Sequence, residues 1–315
     1  MARSTHDCYG KVDPTATDAT SEADDGRATT GATSDAPEFA GEDLIISYGD
    51  DDPVIEEETL RIKPGEVTAL VGPNGSGKST LLKALANQLD LDAGTVSLDG
   101  EDIEDVPSKA LAKQLGLLSQ ENTSPNSISV EKLVEHGRYP HRDFFDSITE
   151  EDHAAIDDAI ELAGVDHLRE RNVGSLSGGQ KQLVWIAMVL AQETDVLLLD
   201  EPTTFLDLHH QLEVMEIVET LRDDSEMTIV LVLHDISQAA RYADRMVALK
   251  DGEIYARGTP AEVLTTDLLA DVFEIDAAVD RTERGPRVEP IRPRHDDDGA
   301  PDECRDHQPR LEADE

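Results

Sequence analysis

The run Gly72-Pro73-Asn74-Gly75-Ser76-Gly77-Lys78-Ser79 decides how the rest of the chain is read. It matches G-x-x-x-x-G-K-[ST], follows the apolar stretch Val67 to Val71, and opens a segment in which Leu82, Leu85, Ala86 and Leu89 fall at i, i+3, i+4 and i+7. Strand, glycine-rich turn and amphipathic helix are the context in which this pattern cradles phosphate. The glycines let successive backbone N–H groups turn inward around an anion, and the helix amino end adds positive potential. Lys78 supplies a point charge for β and γ phosphates, and the Ser79 hydroxyl suits a magnesium ion. A merely tight strand-to-helix turn is the alternative, but a chance match in a chain this long is roughly one in a hundred before the flanking strand and helix are required.

Outward from this loop, β-type runs alternate with helical ones: Val196 to Leu199, then Thr228 to Leu233 followed by a helix from Ile236. The alternation implies an α/β fold with a mostly parallel sheet and helices on its faces. These strands carry almost no charge, as strands buried on both sides require, and phosphate chemistry belongs at their carboxyl ends. Residues 121 to 180 break the alternation. Thr149 and Asp152 form a capping-box pair, Ala155, Ile156, Ala159, Ile160 and Ala163 line one face, and Gly164 supplies a stop, so an inserted helical lobe is expected there. Residues 1–40 are polar and small, and are expected to form a disordered acidic tail, with 285–315 as an acidic, Pro-rich mobile one and 41–284 as the folded domain between them.

Two further motifs carry chemistry. Val196-Leu197-Leu198-Leu199-Asp200-Glu201 delivers two carboxylates to a buried strand end; Asp200 can hold the magnesium held by Ser79, and Glu201 can orient or deprotonate a water attacking a γ phosphate. Leu176-Ser177-Gly178-Gly179-Gln180 runs into an apolar helix and reads equally as a second anion-binding nest or as a plain helix cap.

Composition sets the setting. The 315 residues hold 27 basic and 69 acidic side chains, a net charge of -42. Three basic against eight acidic residues in 1–40, and six against eleven in 282–315, leave -32 on the middle, so the folded part itself is acidic. Such self-repulsion is tolerable in molar salt, where the Debye length is about 3 Å, so a high-salt cytoplasm, as in a halophilic archaeon, is expected, with an ordinary acidic protein as the alternative. A surface this negative repels phosphate backbones and argues against nucleic acid as a partner. No apolar run is long enough to cross a bilayer, and Met1 to Gly10 lacks a signal core, so a cytosolic chain is expected. Cys8 and Cys304 are the only cysteines, too few for a disulfide framework, and the pairs Cys304 with His307 and His6 with Cys8 offer only two ligands each. His141, His153, His167, His209 and His210 read as surface residues.

The spacing of these motifs resembles ABC-type ATPases over about residues 41 to 290, the signature Leu176 to Gln180 lying between the phosphate loop and the strand ending Asp200-Glu201. Tyr48, Gln120, Leu206-Asp207 and His234 stand where that family has an adenine-stacking aromatic, a Q-loop, a D-loop and a switch histidine. Taken alone, Tyr48 could be an edge-strand tyrosine, Gln120 a loop amide and His234 a helix-entry residue beside Asp235. The resemblance implies a core sheet with an antiparallel β subdomain and an inserted α-helical subdomain. It also implies a homodimer in which each ATP lies between one chain's phosphate loop and the other's signature. Gly72, Pro73, Asn74, Gly75, Ser76, Gly77, Lys78, Ser79 and Thr80 would contact nucleotide, with Tyr48 on the adenine. Ser79, Gln120 and Asp200 would surround Mg2+, Glu201 would act as general base, and His234 would touch the γ phosphate. Ser177, Gly178, Gly179, Gln180 and Asp207 would close on the partner's ATP. Lys181 follows the signature where several relatives carry Arg, a swap that keeps the charge.

Two local stretches narrow the resemblance. His136-Gly137-Arg138-Tyr139-Pro140-His141 and Thr203-Thr204-Phe205-Leu206-Asp207-Leu208-His209-His210-Gln211 resemble the importer subfamily for ferric siderophores, haem and cobalamin, the second stretch most like the siderophore members. This implies a peripheral subunit on the cytoplasmic face of the membrane, working with separate integral permease subunits and indirectly with an extracellular substrate-binding protein. The lobe surface near Gln120 and Arg138 is expected to receive the permease. A haem or cobalamin importer, a soluble ABC ATPase of translation or DNA repair, and a regulatory module without turnover are the alternatives. Translation types join two ATPase units and repair types insert a long coiled coil, neither of which is present here, and the intact Glu201 disfavours a module without turnover.

Overall fold

Apolar residues at alternate positions of buried strands sort the core into two layers, one on each face of a central sheet. A computed structural model describes residues 36–49, 52–120, 122–123, 127–143, 146–282 and 285–294. In chain order these form β1 (Phe39–Ile46), β2 (Ile55–Ile62), β3 (Val67–Val71), α1 (Lys78–Leu85), β4 (Ala93–Leu98), β5 (Glu101–Asp102), α2 (Ser108–Leu111) and β6 (Leu115–Leu118). The helices α3 (Val130–Glu135), α4 (Glu150–Leu162) and α5 (Gly178–Leu190) follow, then β7 (Val196–Asp200), α6 (Leu208–Asp224), β8 (Thr228–Val232) and α7 (Ile236–Tyr242). The chain continues through β9 (Arg245–Lys250), β10 (Glu253–Gly258), α8 (Pro260–Val263), α9 (Thr266–Asp271), β11 (Ile275–Thr282) and β12 (Gly285–Pro293).

The central sheet has the order β10-β9-β3-β8-β7-β6. All its pairings are parallel except β9 with β10. A separate antiparallel sheet runs β2-β1-β4-β5. Val67, Ala69 and Val71 face a core built with α3 to α9, while Leu70 faces α1 and the antiparallel sheet; Leu197 and Leu199 against Val196 and Leu198 divide the same way. Leu70 and Asp200 both pair with Val232, so β3, β7 and β8 end level with one another. Residues that follow these ends must therefore meet, the placement expected of an α/β ligand site. Among the described residues no helix is long and apolar enough to cross a membrane.

The helical lobe follows its sequence signals. Thr149 and Asp152 complete a capping box on α4, Ala155, Ile156, Ala159 and Ile160 are buried, and Gly164 turns the chain out with φ +67°.

Five expectations are corrected. Helix α1 stops at Leu85, Asn87 takes φ +53°, and Leu89 packs on the core from outside the helix. The boundary at residue 40 is late: Phe39 and Ala40 are buried in β1, where Phe39 pairs with Ile62 and Leu98. Residues 285–294, placed in the mobile tail, hold β12, which pairs with β11 from Thr282↔Gly285 to Ile275↔Pro293 and buries Val288. Its prolines are tolerated because this two-stranded sheet leaves them on an edge strand. His141 is half-buried, its Nε2 2.8 Å from the Gln192 carbonyl oxygen. Arg138 is not on the lobe surface. Its side chain is 3% exposed, donates from Nε to Asp152 Oδ1 at 2.9 Å, and from one terminal nitrogen to the Ala191 carbonyl at 2.8 Å and Glu193 Oε2 at 2.5 Å. The fork of donors is satisfied inside the fold, tying the turn after α3 to the start of α4 and the end of α5.

Candidate functional site

The level ends of β3, β7 and β8, with β6 beside them, deliver the sequence motifs to one cavity of about 590 Å3. Asn74, Gly75, Gly77, Lys78, Ser79, Thr80, Gln120, Glu201 and His234 line it, joined by Val54, Thr204 and Phe205. The phosphate loop needs bare backbone at two places. A Cβ on Gly72 (φ +151°) would approach the Leu249 carbonyl oxygen to 2.2 Å, and Gly77 caps α1 with φ +94°. Lys78 lies within this turn, donating to the carbonyls of Gly72 at 3.0 Å and Pro73 at 2.7 Å. Burial pushes its pKa down, while the nearby Glu201 and Asp200 carboxylates pull it back up.

Asp200 ends β7 with 1% of its surface exposed. Burial raises its pKa, opposed by the Ser79 hydroxyl, which donates to Oδ1 at 2.7 Å. Its other oxygen, Oδ2, is buried with no hydrogen-bond partner. A hydroxyl and a buried carboxylate with one oxygen free form an all-oxygen donor set that fits a hard divalent cation. Among the described residues no group of three or more His, Cys, Asp and Glu could hold a metal. The pairs His6 with Cys8 and Cys304 with His307 lie outside those residues.

Glu201 is the hub. It takes φ +51°, uncommon for a residue with a side chain, and its carboxylate is 9% exposed. Oε1 lies 2.6 Å from His234 Nε2, and Oε2 accepts from Gln120 Nε2 at 2.7 Å and Thr204 Oγ1 at 3.1 Å. One carboxylate thus joins the residues beyond β6, β7 and β8. His234 is held from behind by the next residue, Asp235, which caps α7 by accepting from Ser237 N and Gln238 N.

Other candidates lie outside this cavity. Tyr48, just beyond β1, is 48% exposed, and its hydroxyl is 3.1 Å from Thr80 Oγ1. Gly72, Pro73 and Ser76 form the body of the loop rather than its lining. Ser177 is an α5 cap: its Oγ accepts from Gln180 N, and Gln180 Oε1 accepts from Ser177 N, both at 3.2 Å. Ser177 and Gly178 are exposed, so the cap leaves the start of this helix open to a partner. Asp207 caps α6, accepting from His210 N at 3.1 Å and lying 2.9 Å from His210 Nδ1; the His210 amide and ring hold its carboxyl below the usual range. His210, read as a surface residue, is half-buried because its ring packs on Gly179.

Sequence reasoning missed Val54, Thr204 and Phe205 as lining. Thr204 and Phe205 directly follow Glu201-Pro202-Thr203 and could have been found from that adjacency, whereas Val54 arrives by the pairing of β2 with β1. Phe205 is 98% exposed at φ +62°.

Comparison with known proteins gives one consistent picture. A family model described as ABC transporter matches residues 55–204. The ferric enterobactin transport ATP-binding protein FepC of Escherichia coli (strain K12) is 46% identical over 233 residues, covering 74% of this chain and 86% of that one. The iron(3+)-hydroxamate import ATP-binding protein FhuC of Bacillus subtilis (strain 168) is 44% identical over 238 residues, covering 76% and 88%. The dimeric structure of MJ0796, a bacterial ABC transporter cassette, superposes with a TM-score of 0.63 at 27% identity, covering 70% of this chain and 98% of that one.

Proposed function

This chain belongs to the ABC transporter ATP-binding family, and on that footing we propose that it is the ATP-hydrolysing subunit of a ferric-siderophore importer, acting as a pair of identical chains on the cytoplasmic face of the membrane beneath separate permease subunits. The observation that carries the reading is the Glu201 carboxylate, half-buried just past the end of β7 and bonded to both Gln120 and His234 beside the phosphate loop.

The chemistry follows from the residues. The Lys78 ammonium and the loop amides bind the β and γ phosphates, phosphate oxygens replacing the Gly72 and Pro73 carbonyls as acceptors. Tyr48 stacks on the adenine. Ser79, Asp200 and Gln120 would hold Mg2+, which would neutralise charge on the phosphate oxygens. Glu201 accepts a proton from the water whose oxygen attacks the γ phosphorus, while the bond from phosphorus to the bridging oxygen breaks and ADP leaves. His234 leaves Glu201 for the γ phosphate and adds a donor to its developing charge.

One copy of each motif per chain makes the complete site a shared one. Ser177, Gly178, Gly179, Gln180 and Asp207 of one chain close on ATP bound to the other. Hydrolysis and phosphate release remove the ligand that joins them, so the chains part and the permease beside the lobe surface near Gln120 changes state. The named relatives support iron-siderophore cargo, and an extracellular binding protein delivers it.

The test is uptake. Cells lacking this chain and cells restored with it are given radiolabelled ferric siderophore, haem or cobalamin. Restored siderophore uptake that is lost again with Glu201→Gln is expected. Restoration of cobalamin or haem uptake alone refutes the cargo, and no ATP-dependent uptake of any of them refutes the transport role.

A further inference from the structure

The signature turn starts α5, and the loop after β7 ends where α6 starts; one side chain spans the two. The His210 side chain is only 20% exposed. Its Nδ1 lies 2.9 Å from Asp207 Oδ1, the same oxygen that accepts from the His210 backbone N–H at 3.1 Å, so the ring and the helix cap share one acceptor. The other contact is with bare backbone: a Cβ built on Gly179 would come within 2.3 Å of the ring carbons Cγ and Cδ2. The ring thus sits where only glycine admits it. Its neighbour His209 has a side chain 78% exposed and makes no such contact with Gly179. On the far side of the loop, Gln211 donates to the Leu206 carbonyl at 3.0 Å and accepts from Gln238 of α7 at 2.9 Å, so the loop is braced from both directions.

We propose that His210 is a positioning residue that locks the signature turn to the loop after β7, so that the two elements assigned to the partner's nucleotide are presented as one rigid unit. It touches no nucleotide itself and acts through Gly179 and Asp207. A short polar link of this kind matters because a misplacement of about 1 Å in a catalytic group can cost about 100-fold in rate.

The proposal rests on the shared-site reading, and two measurements keep their failures apart. The first needs one chain only. Hydrogen exchange of the full chain without nucleotide, comparing His210→Ala with wild type, is expected to speed at the Gln180 and Lys181 amides by about tenfold, as loss of a charge-assisted bond implies, with the middle of α5 unchanged. Unchanged exchange at those amides overturns the proposal whether or not the chains pair. Should the alanine variant not fold, His210→Asn, which can keep a donor toward Asp207 but lacks the ring over Gly179, gives the same readout.

The second measurement uses complementation. His210→Ala alone is expected to hydrolyse ATP between about 10 and 100 times more slowly than wild type, with its own ATP affinity kept. Mixed in equal amounts with Lys78→Ala, whose signature is intact, it should reach about half the rate of the same mixture made with wild type, because only the mixed pairs then hold a working site. A rate in the mixture as low as that of His210→Ala alone places the effect in the chain's own site and overturns the proposal. Failure of wild type itself to pair on ATP overturns the shared site instead, and leaves the exchange result to decide on the link.

Discussion

Replacing Arg138 by Met keeps most of the aliphatic stem and removes the guanidinium from a site where 3% of the side chain is exposed. Three acceptors lose their donor: Asp152 Oδ1, the Ala191 carbonyl and Glu193 Oε2. They do not lose equally. The Glu193 side chain is 56% exposed and rehydrates, whereas that of Asp152 is 5% exposed and cannot. Breaking a buried pair by removing one partner costs about 3–5 kcal/mol; the Asp152 Oδ2 bonds to Thr149 N at 3.0 Å and Oγ1 at 2.8 Å survive, which puts the expectation at the low end, about 3 kcal/mol. For a domain of this size that is a fall in Tm of about 6–12 °C. Urea unfolding at fixed salt, monitored by circular dichroism, measures it. In an Asp152→Asn background the same replacement should cost about half as much, because no buried charge is left unpaired. A loss under about 1 kcal/mol, or an equal loss in both backgrounds, refutes the reasoning.

Acid stability gives a second view of the same pair. Burial raises the Asp152 pKa, but the Thr149 amide, Arg138 and the Thr149 hydroxyl together outweigh it and hold the group at about 2. A depressed carboxylate stabilises the fold above its unfolded pKa, and that contribution, about 1–2 kcal/mol after solvent screening, should vanish between about pH 4 and 2; the Arg138→Met variant should show a shallower slope across that window in pH-dependent urea melts. Glu201→Gln should retain ATP, keep the chains paired and lower phosphate release by at least about 100-fold, and rapid turnover in that variant removes Glu201 as the base. Lys78→Ala should weaken ATP binding by about 1.5–3 kcal/mol, and calorimetry showing equal affinity contradicts the loop assignment. Lowering salt from molar to 0.1 M should lower Tm because the middle of the chain carries -32, and a Tm indifferent to salt rejects the high-salt reading.

What could be read in advance was local. The phosphate loop, the charge-free strands and the Thr149–Asp152 cap are each complete within a few residues, since backbone sterics, burial on both faces and short hydrogen bonds fix their form. The end of α1 was misjudged because Leu89 keeps the apolar rhythm while Asn87 breaks the helix at φ +53°. The β11–β12 hairpin was missed because its prolines and charges resemble a tail, and only pairing with β11 and the burial of Val288 give that segment a structure. Phe39 was assigned to a tail for a similar reason: its partners Ile62 and Leu98 lie far along the chain.

The form of the loop was therefore legible in sequence alone, because a turn shaped to wrap an anion demands glycines, a lysine and a hydroxyl at adjacent positions. Which of them share a carboxylate, and which charged side chains are spent inside, was decided by tertiary structure. Glu201 meets Gln120 and His234 because β6, β7 and β8 lie side by side in register. Arg138 was placed near the lobe surface by the resemblance and His210 was read as a surface histidine, yet Asp152 and Gly179 draw them inward. Contacts between residues tens of positions apart depend on how the sheet orders its strands, and no local pattern encodes that order.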